Sequence, residues 1–401
     1  MTSEWNHFAL GEITELVIDY RGKTPKKLGG DWCKQGYRAL SAKNIKTGRI
    51  VQAETIRYID ESLYRKWMKD EVQRGDILIT SEAPFGQIFF WDSDEKIVLS
   101  QRLFCVRIKP EYDARFIYYY MTTPEFQSEL DGRATGTTVI GLRQPELMKC
   151  IIRCPEIQEQ KVIAAILSSI DAKIIANEKV NDNLEQQAQS YFQELFVDNA
   201  NPEWTTGTIS DLGAVVGGST PSKAKPEYYT ESGIAWITPK DLSINKSKFV
   251  SHGENDITEL GLKNSSAAIM PEGTVLFSSR APIGYIAIAA GEVTTNQGFK
   301  SVVPKPEIGT PFVYFFLKNT LPVIEGMASG STFKEVSGST MKNVPAVIPD
   351  AETLAKFSDF CAPIFAQQRI LEEQNQSLAT LRDNLLPKLM SGEIDVSAVQ
   401  L

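Results

Sequence analysis

The chain is written twice, and that duplication limits its fold more than any other feature. Gly11-Glu12-Ile13 and Gly22-Lys23-Thr24-Pro25 return as Gly207-Thr208-Ile209 and Gly218-Ser219-Thr220-Pro221 at the same offset. Tyr37-Arg38-Ala39-Leu40-Ser41-Ala42-Lys43-Asn44-Ile45 answers to Ile234-Ala235-Trp236-Ile237-Thr238-Pro239-Lys240-Asp241-Leu242. The run from Arg74 to Gly86, with Ser81-Glu82-Ala83-Pro84 inside it, matches Glu272 to Gly284, with Ser279-Arg280-Ala281-Pro282. Gln101 pairs with Gln297, and Thr135-Gly136-Thr137-Thr138 with Ser329-Gly330-Ser331-Thr332. A period of roughly two hundred residues is far longer than any solenoid repeat, so one domain is duplicated here. The matches fall on Gly, Pro and apolar residues, which set turns and cores, while positions between them differ freely. One scaffold is used twice to read two different things.

Each half opens with short strands. Asp76 to Thr80 and Thr274 to Ser278 are compact apolar runs rich in β-branched residues, and Gln87 to Trp91 and Tyr285 to Ile288 follow after an Ala-Pro-x-Gly turn. Short helices are expected at Ala114 to Thr122 and Pro311 to Asn319. Each half then closes on a proline, Pro155 or Pro349, followed by a long helix with a seven-residue repeat. In the first, one line is Ile163, Ile170, Asn177, Leu184 and Tyr191, and a second is Leu167, Ile174, Asn181, Ala188 and Leu195. In the second, the lines are Phe357, Ile364, Leu371, Leu378 and Leu385, and Phe360, Gln367, Gln374 and Leu381. Such seams are buried against each other or a partner, and polar residues in mid-seam set register. A helix of about 30 residues is roughly 45 Å long, against about 34 Å for one turn of B-DNA.

No motif in the chain carries a recognisable catalytic chemistry. Gly22-Lys23-Thr24 has the end of a phosphate-binding loop, but Val17 stands where its upstream glycine belongs and Pro25 follows at once. Asn201-Pro202-Glu203-Trp204 reads as a turn, and the acids after Pro155 suit a helix N-terminus. With His7 and His252 alone, and Cys150 and Cys154 lacking a second ligand pair, neither a zinc site nor an acid–base constellation is expected. The five cysteines are read as buried thiols. The N-terminus lacks a signal-peptide pattern and no apolar run is long enough to span a membrane, so a cytoplasmic protein is expected. Net charge is −8, which speaks against a globally basic surface. Locally the balance reverses: between Arg21 and Arg57 ten basic residues face only Asp31 and Glu54, enough to neutralise several phosphates.

The tandem halves, Glu159-Gln160 after Pro155, the paired Gly75 and Gly273 strands, and the C-terminal Leu386-Pro387-Lys388-Leu389-Met390-Ser391-Gly392-Glu393-Ile394 together resemble type I restriction–modification specificity (S) subunits over essentially the whole chain. The resemblance implies an α+β fold: two tandem α/β target-recognition domains separated by long helices forming an antiparallel coiled-coil spacer. The expected divisions are a first recognition domain at 1–154, a central helical spacer at 155–200, a second recognition domain at 201–348 and a C-terminal helical spacer at 349–401. It implies a non-catalytic chain whose domains each read half of a bipartite site in double-stranded DNA, and whose helices dock two methylation subunits. No cofactor is expected on this chain; S-adenosylmethionine would lie on the methylation subunits, and ATP and Mg on restriction/translocase subunits. The second helix begins Pro349-Asp350-Ala351-Glu352-Thr353 without the Glu-Gln pair, which implies unequal docking at the two ends.

The residues expected at DNA are Arg21, Lys23, Thr24, Lys26, Lys43 and Asn44 in the first domain, and Ser219, Thr220, Lys223, Lys225 and Lys240 in the second. Lys and Arg would hold phosphates, while Asn, Thr and some Arg could read base edges. Two other readings stay open: a specificity subunit serving a methyltransferase alone, and a tandem-domain scaffold that binds protein or RNA.

Overall fold

The computed structural model describes residues 5–136, 140–330 and 334–399. Met1 to Glu4 and the repeat positions Thr137, Thr138, Ser331 and Thr332 lie outside the described residues. The chain folds as two compact α+β units, residues 1–173 with 378–401, and residues 174–377.

The first unit is built on an antiparallel sheet of β1 (Thr14–Asp19), β2 (Ile77–Thr80), β3 (Ile88–Phe90) and β4 (Leu103–Ile108), in the order β1-β4-β2-β3. Alternate residues go to opposite faces of a strand, and here both faces are apolar. Ile77, Ile79, Phe104 and Val106 enter a core under the helices. Leu78, Leu103 and Cys105 enter a second core with Trp67 and Trp91, beneath a small three-stranded sheet. A strand covered on both sides reads as the unbroken run Ile77-Leu78-Ile79 rather than as an alternation.

The second unit repeats this plan with β5 (Gly213–Gly217), β6 (Val275–Ser279), β7 (Ile283–Ala289) and β8 (Lys300–Pro304), in the order β5-β8-β6-β7, with Phe249–Val250 added parallel at the β7 edge. Val275, Phe277 and Val302 line one core, Leu276, Ala287 and Phe299 the other.

The helices include α1 (Ala114–Met121), α2 (Ile157–Gln193), α3 (Thr310–Met327) and α4 (Ala351–Met390). A helix expected to stop at Asn319 therefore runs on to Met327, through Pro322. In the first unit Pro124 starts a separate helix, Pro124–Arg133, capped by the Thr123 hydroxyl, which accepts the Phe126 N–H at 3.3 Å.

Within each unit, segments of α2 and α4 run antiparallel. In the first, Asp171 meets Arg382, and Ile163 and Leu167 share a core with Leu389 and Met390. In the second, Asn177 donates to Asn375 at 2.8 Å, and Tyr191 lies against Phe357 and Phe360. The α2 lines hold Ile163, Leu167, Ile170, Ile174 and Asn177 buried. One α4 line needs correction: Phe360 and Leu381 are 39% and 48% exposed, and Gln367 and Gln374 are also exposed. The inward line lies one residue on, at Cys361, Gln368 and Asn375, where Gln368 is buried and donates to the Asn181 carbonyl at 3.2 Å.

The sequence motifs at the helix starts are internal fastenings. Gln160 is 2% exposed; its carbonyl accepts the Asp113 N–H at 2.9 Å, and its amide donates to the Pro155 carbonyl at 2.8 Å. In the second copy the N–H at the matching helix start, Gly309, is already bonded to the Lys305 carbonyl at 3.0 Å. A glutamine is not needed there, and Leu354 stands buried in α4. The missing Gln thus reflects how α1 and α3 begin. Asn201 to Trp204 is a turn tied down by the Trp204 indole, which donates to Asp350 at 2.8 Å.

Candidate nucleic-acid interface

In an antiparallel sheet, alternate strands begin and end at the same edge. The C-terminal ends of β1 and β2 and the N-terminal ends of β3 and β4 therefore meet at one end of the first sheet, and those of β5, β6, β7 and β8 at one end of the second. The Ala-Pro corners lie there, while the Gly75 and Gly273 turns precede β2 and β6 at the opposite end.

The Ala-Pro corner is fixed alike in both copies. Ala83 and Ala281 are left-handed, with φ of 43° and 53°, and cis prolines follow. The Thr80 hydroxyl accepts the Gln87 N–H at 2.8 Å, and the Ser278 hydroxyl accepts the Tyr285 N–H at 2.7 Å. Ser81 donates its N–H to the Arg102 carbonyl and accepts the Leu142 N–H; Ser279 does the same with Gly298 and Val336. Neighbouring loops thus clamp the backbone on both sides of the residue that follows.

That residue is Glu82 in one copy and Arg280 in the other. Glu82 pairs with Arg102 Nε at 3.1 Å; Arg280 Nη1 pairs with Glu335 at 3.2 Å, and Lys300 lies 3.9 Å from the other Glu335 oxygen. Neither Glu82 nor Arg280 was among the residues expected at DNA. The signal available was their charge reversal inside an otherwise repeated Ser-x-Ala-Pro.

The Gly-x-Thr-Pro loops adjoin this end. Gly22 is needed for its φ of +86°, in open space. Gly218 is needed because a Cβ there would come within 1.9 Å of the Asn296 carbonyl oxygen. The threonines face the repeated glutamines: Thr220 bonds Gln297 directly, while Thr24, Lys26, Asp31, Trp32, Arg57 and Gln101 line a cleft of about 470 Å³. Ala42 N–H bonds the Gln101 carbonyl at 3.1 Å, which brings the Lys43 loop to the same place.

The expected residues fare differently. Lys26, Lys43 and Lys223 are exposed and make no ion pair among the described residues. Arg21 is engaged through all three nitrogens: its Nε and Nη2 each bond Asp19 at 2.8 Å, Nη1 reaches the Leu142 carbonyl at 3.4 Å, and the guanidinium lies 4.0 Å from the Phe104 ring centre. Lys23 turns inward to the Trp67 carbonyl at 2.7 Å, and burial lowers its pKa. Ser219 accepts the Ser266 N–H at 3.3 Å. Lys225 lies 3.7 Å from Glu227, and Lys240 pairs with Glu254, which raises its pKa. Asn44 is a correction. It is 1% exposed, accepts from the Ser41 N–H and hydroxyl, and donates to the Gln52 carbonyl and the Thr55 hydroxyl. A buried amide with both ends bonded holds the loop and cannot reach a base.

Among the described residues no group of three His, Cys, Asp or Glu could hold a metal ion. Cys150 and Cys154 are buried, and burial pushes both thiols up to about 12.

Comparison with known proteins places this arrangement. Residues 2–186 and 201–381 each match the family described as Type I restriction modification DNA specificity domain. The MjaIX specificity subunit of Methanocaldococcus jannaschii is 39% identical over 194 residues, 46% of this chain and 45% of that protein. The HindI specificity subunit of Haemophilus influenzae is 22% identical over 408 residues, covering 81% and 88%. The crystal structure of a type I restriction–modification S subunit from M. genitalium shares the fold, with a TM-score of 0.59 at 18% identity over 96% of both chains.

Proposed function

The chain belongs to the type I restriction–modification DNA specificity family, and from that premise we propose that it is the non-catalytic subunit that gives such a complex its DNA address. Each recognition domain, 1–154 and 201–348, reads one half of a bipartite site in double-stranded DNA. The helical regions, 155–200 and 349–401, dock two methylation subunits. Adenine methylation is directed by the address, and S-adenosylmethionine is held by those partners. Where restriction/translocase subunits join, they bring ATP and Mg. The complex acts in the cytoplasm; among the described residues no helix is long and apolar enough to cross a membrane.

One observation carries the reading. Two copies of the same scaffold end in the same clamped loops, yet present different side chains there: Glu82 against Arg280, Arg102 against Gly298, Lys23 against Ser219. Phosphate contacts position a protein on a duplex while varied side chains select bases, so a constant frame with variable tips suits two unlike half-sites. The test is a genome-wide map of methylated adenines with the gene present and deleted. Loss of one split motif, two short blocks around a constant gap, supports the address function. An unchanged map, with this protein and its methylation partner both expressed, rejects it in favour of a scaffold for protein or RNA.

A further inference from the structure

Resting on that reading, we propose that Arg102 and Arg280 are specificity-determining residues, each reading a guanine in its own half-site, and that Glu82 and Glu335 are the positioning residues that aim them. The two arginines come from different loops. Arg102 follows the repeated glutamine, where the second copy has Gly298; Arg280 sits on the Ala-Pro corner, where the first copy has Glu82. Both lie at the same end of their sheets, against the backbone clamp made by Ser81 or Ser279.

Three features single them out. Each is held by one carboxylate through one nitrogen only: Arg102 by Nε at 3.1 Å, Arg280 by Nη1 at 3.2 Å. Arg102 thus keeps both terminal nitrogens, and Arg280 keeps Nε and Nη2, so each retains a pair of N–H groups for the O6 and N7 acceptors of guanine. Each side chain is also accessible, 49% and 37% exposed. Arg21, at the same end of the first sheet, has all three nitrogens bonded within the domain. The carboxylates also belong to loops that the clamp holds: Glu82 follows Ser81 directly, and Glu335 precedes Val336, whose N–H bonds the Ser279 carbonyl at 3.0 Å. A partly exposed ion pair adds little stability on its own, but it restricts the rotamers of a long side chain. Because the arginine moves from one loop to another between copies, the guanine stands at a different place in each half-site.

The experiment is the methylation map repeated with Arg102→Gln, Arg280→Gln and the charge-preserving Arg102→Lys and Arg280→Lys, in the complete complex. Each variant is expected to lower discrimination at one guanine of one half-site by about 10- to 100-fold, leaving the other half and the gap intact. The lysine variants do the same because an ammonium lacks the two-pronged fork. Glu82→Gln and Glu335→Gln relax the same two positions less. The intact other half shows in each case that the complex still folds and assembles. Motifs that stay unchanged, that weaken at every position together as a phosphate contact would, or that vanish in all variants overturn the assignment. A wild-type map with no split motif removes the function itself, a result distinct from these.

Discussion

The two units join their recognition domains to the helices by unlike means. In the first, the fastenings are neutral or half-exposed: Gln160 holds the start of α1, and the Tyr119 hydroxyl donates to Asp171 at 2.6 Å while Arg382 bonds the same carboxylate at 2.9 Å. In the second, a charge is buried. Lys248, 7% exposed, lies between Glu185 at 2.6 Å and the Gln368 carbonyl at 2.8 Å, 3.8 Å from the centre of the Phe365 ring. Glu185 also takes Lys318 and the Tyr314 hydroxyl, and Glu372 accepts the Lys248 and Phe249 backbone N–H groups. The apolar frame was kept through duplication, whereas each unit has its own polar joints. Apolar packing asks for volume and pattern, and many sequences supply those; a buried polar joint asks for one geometry.

The largest loss follows from breaking the buried pair. Glu185→Ala leaves Lys248 and Lys318 without their shared carboxylate and is expected to cost about 3–5 kcal/mol in the second unit, read by denaturant unfolding. A loss below 1 kcal/mol would mean that Gln368 and the ring of Phe365 suffice for the lysine. Acid should reveal the same joint. Burial pushes the Glu185 carboxyl up, but Lys248 and Lys318 outweigh it and hold the group below its ordinary value of 4.5. A depressed carboxyl gives stability that is present above the unfolded value and lost as pH falls through the folded one. Unfolding midpoints should therefore drop below about pH 4.5, with a flatter limb in Glu185→Gln. Glu372, raised by burial, works in the opposite sense, favouring the fold below its ordinary value and losing that contribution as pH rises through its folded value.

The first unit should answer more mildly. Gln160→Leu, which copies the apolar Leu354 of the second unit, leaves the half-buried Asp113 N–H without its partner and is expected to cost about 1–3 kcal/mol. No loss would show that water or another carbonyl reaches that N–H. Tyr119→Phe keeps the Asp171–Arg382 bond and removes one hydroxyl, for about 0.5–1.5 kcal/mol.

These joints also mark where sequence reading stops. The duplication, the paired strands, the Ala-Pro corner and the long helices were legible because Gly, Pro and apolar periodicity act locally or at a fixed repeat. Lys248 was not: in Asn245-Lys246-Ser247-Lys248 it looks like any exposed lysine, and its partners Glu185 and Gln368 are 63 and 120 residues away along the chain. The α4 line was misplaced by one because glutamines occupy both 367 and 368, and only packing shows which is covered. Asn44 was taken for a base reader because a short amide beside Lys43 suits that role; its partners arrive from Gln52 and Thr55, downstream in the same loop.

The smallest effects belong to the surface, where the two domains can be compared lysine for lysine. Lys43 and Lys240 hold matching places in the repeat, but Lys43 is exposed without an ion pair among the described residues, and Lys240 pairs with Glu254. Neither supports a core, so Lys43→Ala and Lys240→Ala should each leave stability within about 0.5 kcal/mol. Their effect on DNA binding by the assembled complex should differ. A lysine that neutralises one phosphate releases one counterion, so Lys43→Ala should reduce the slope of log affinity against log salt by about 0.9. Lys240 is already opposed by a carboxylate and would have to leave it to meet a phosphate, so Lys240→Ala should change the slope less. Glu254→Gln should then make Lys240 behave like Lys43, giving tighter binding and a steeper slope. Equal slopes in both alanine variants would mean that the Lys240–Glu254 pair opens freely on DNA, and the difference between the two faces would reduce to the side chains at the sheet ends.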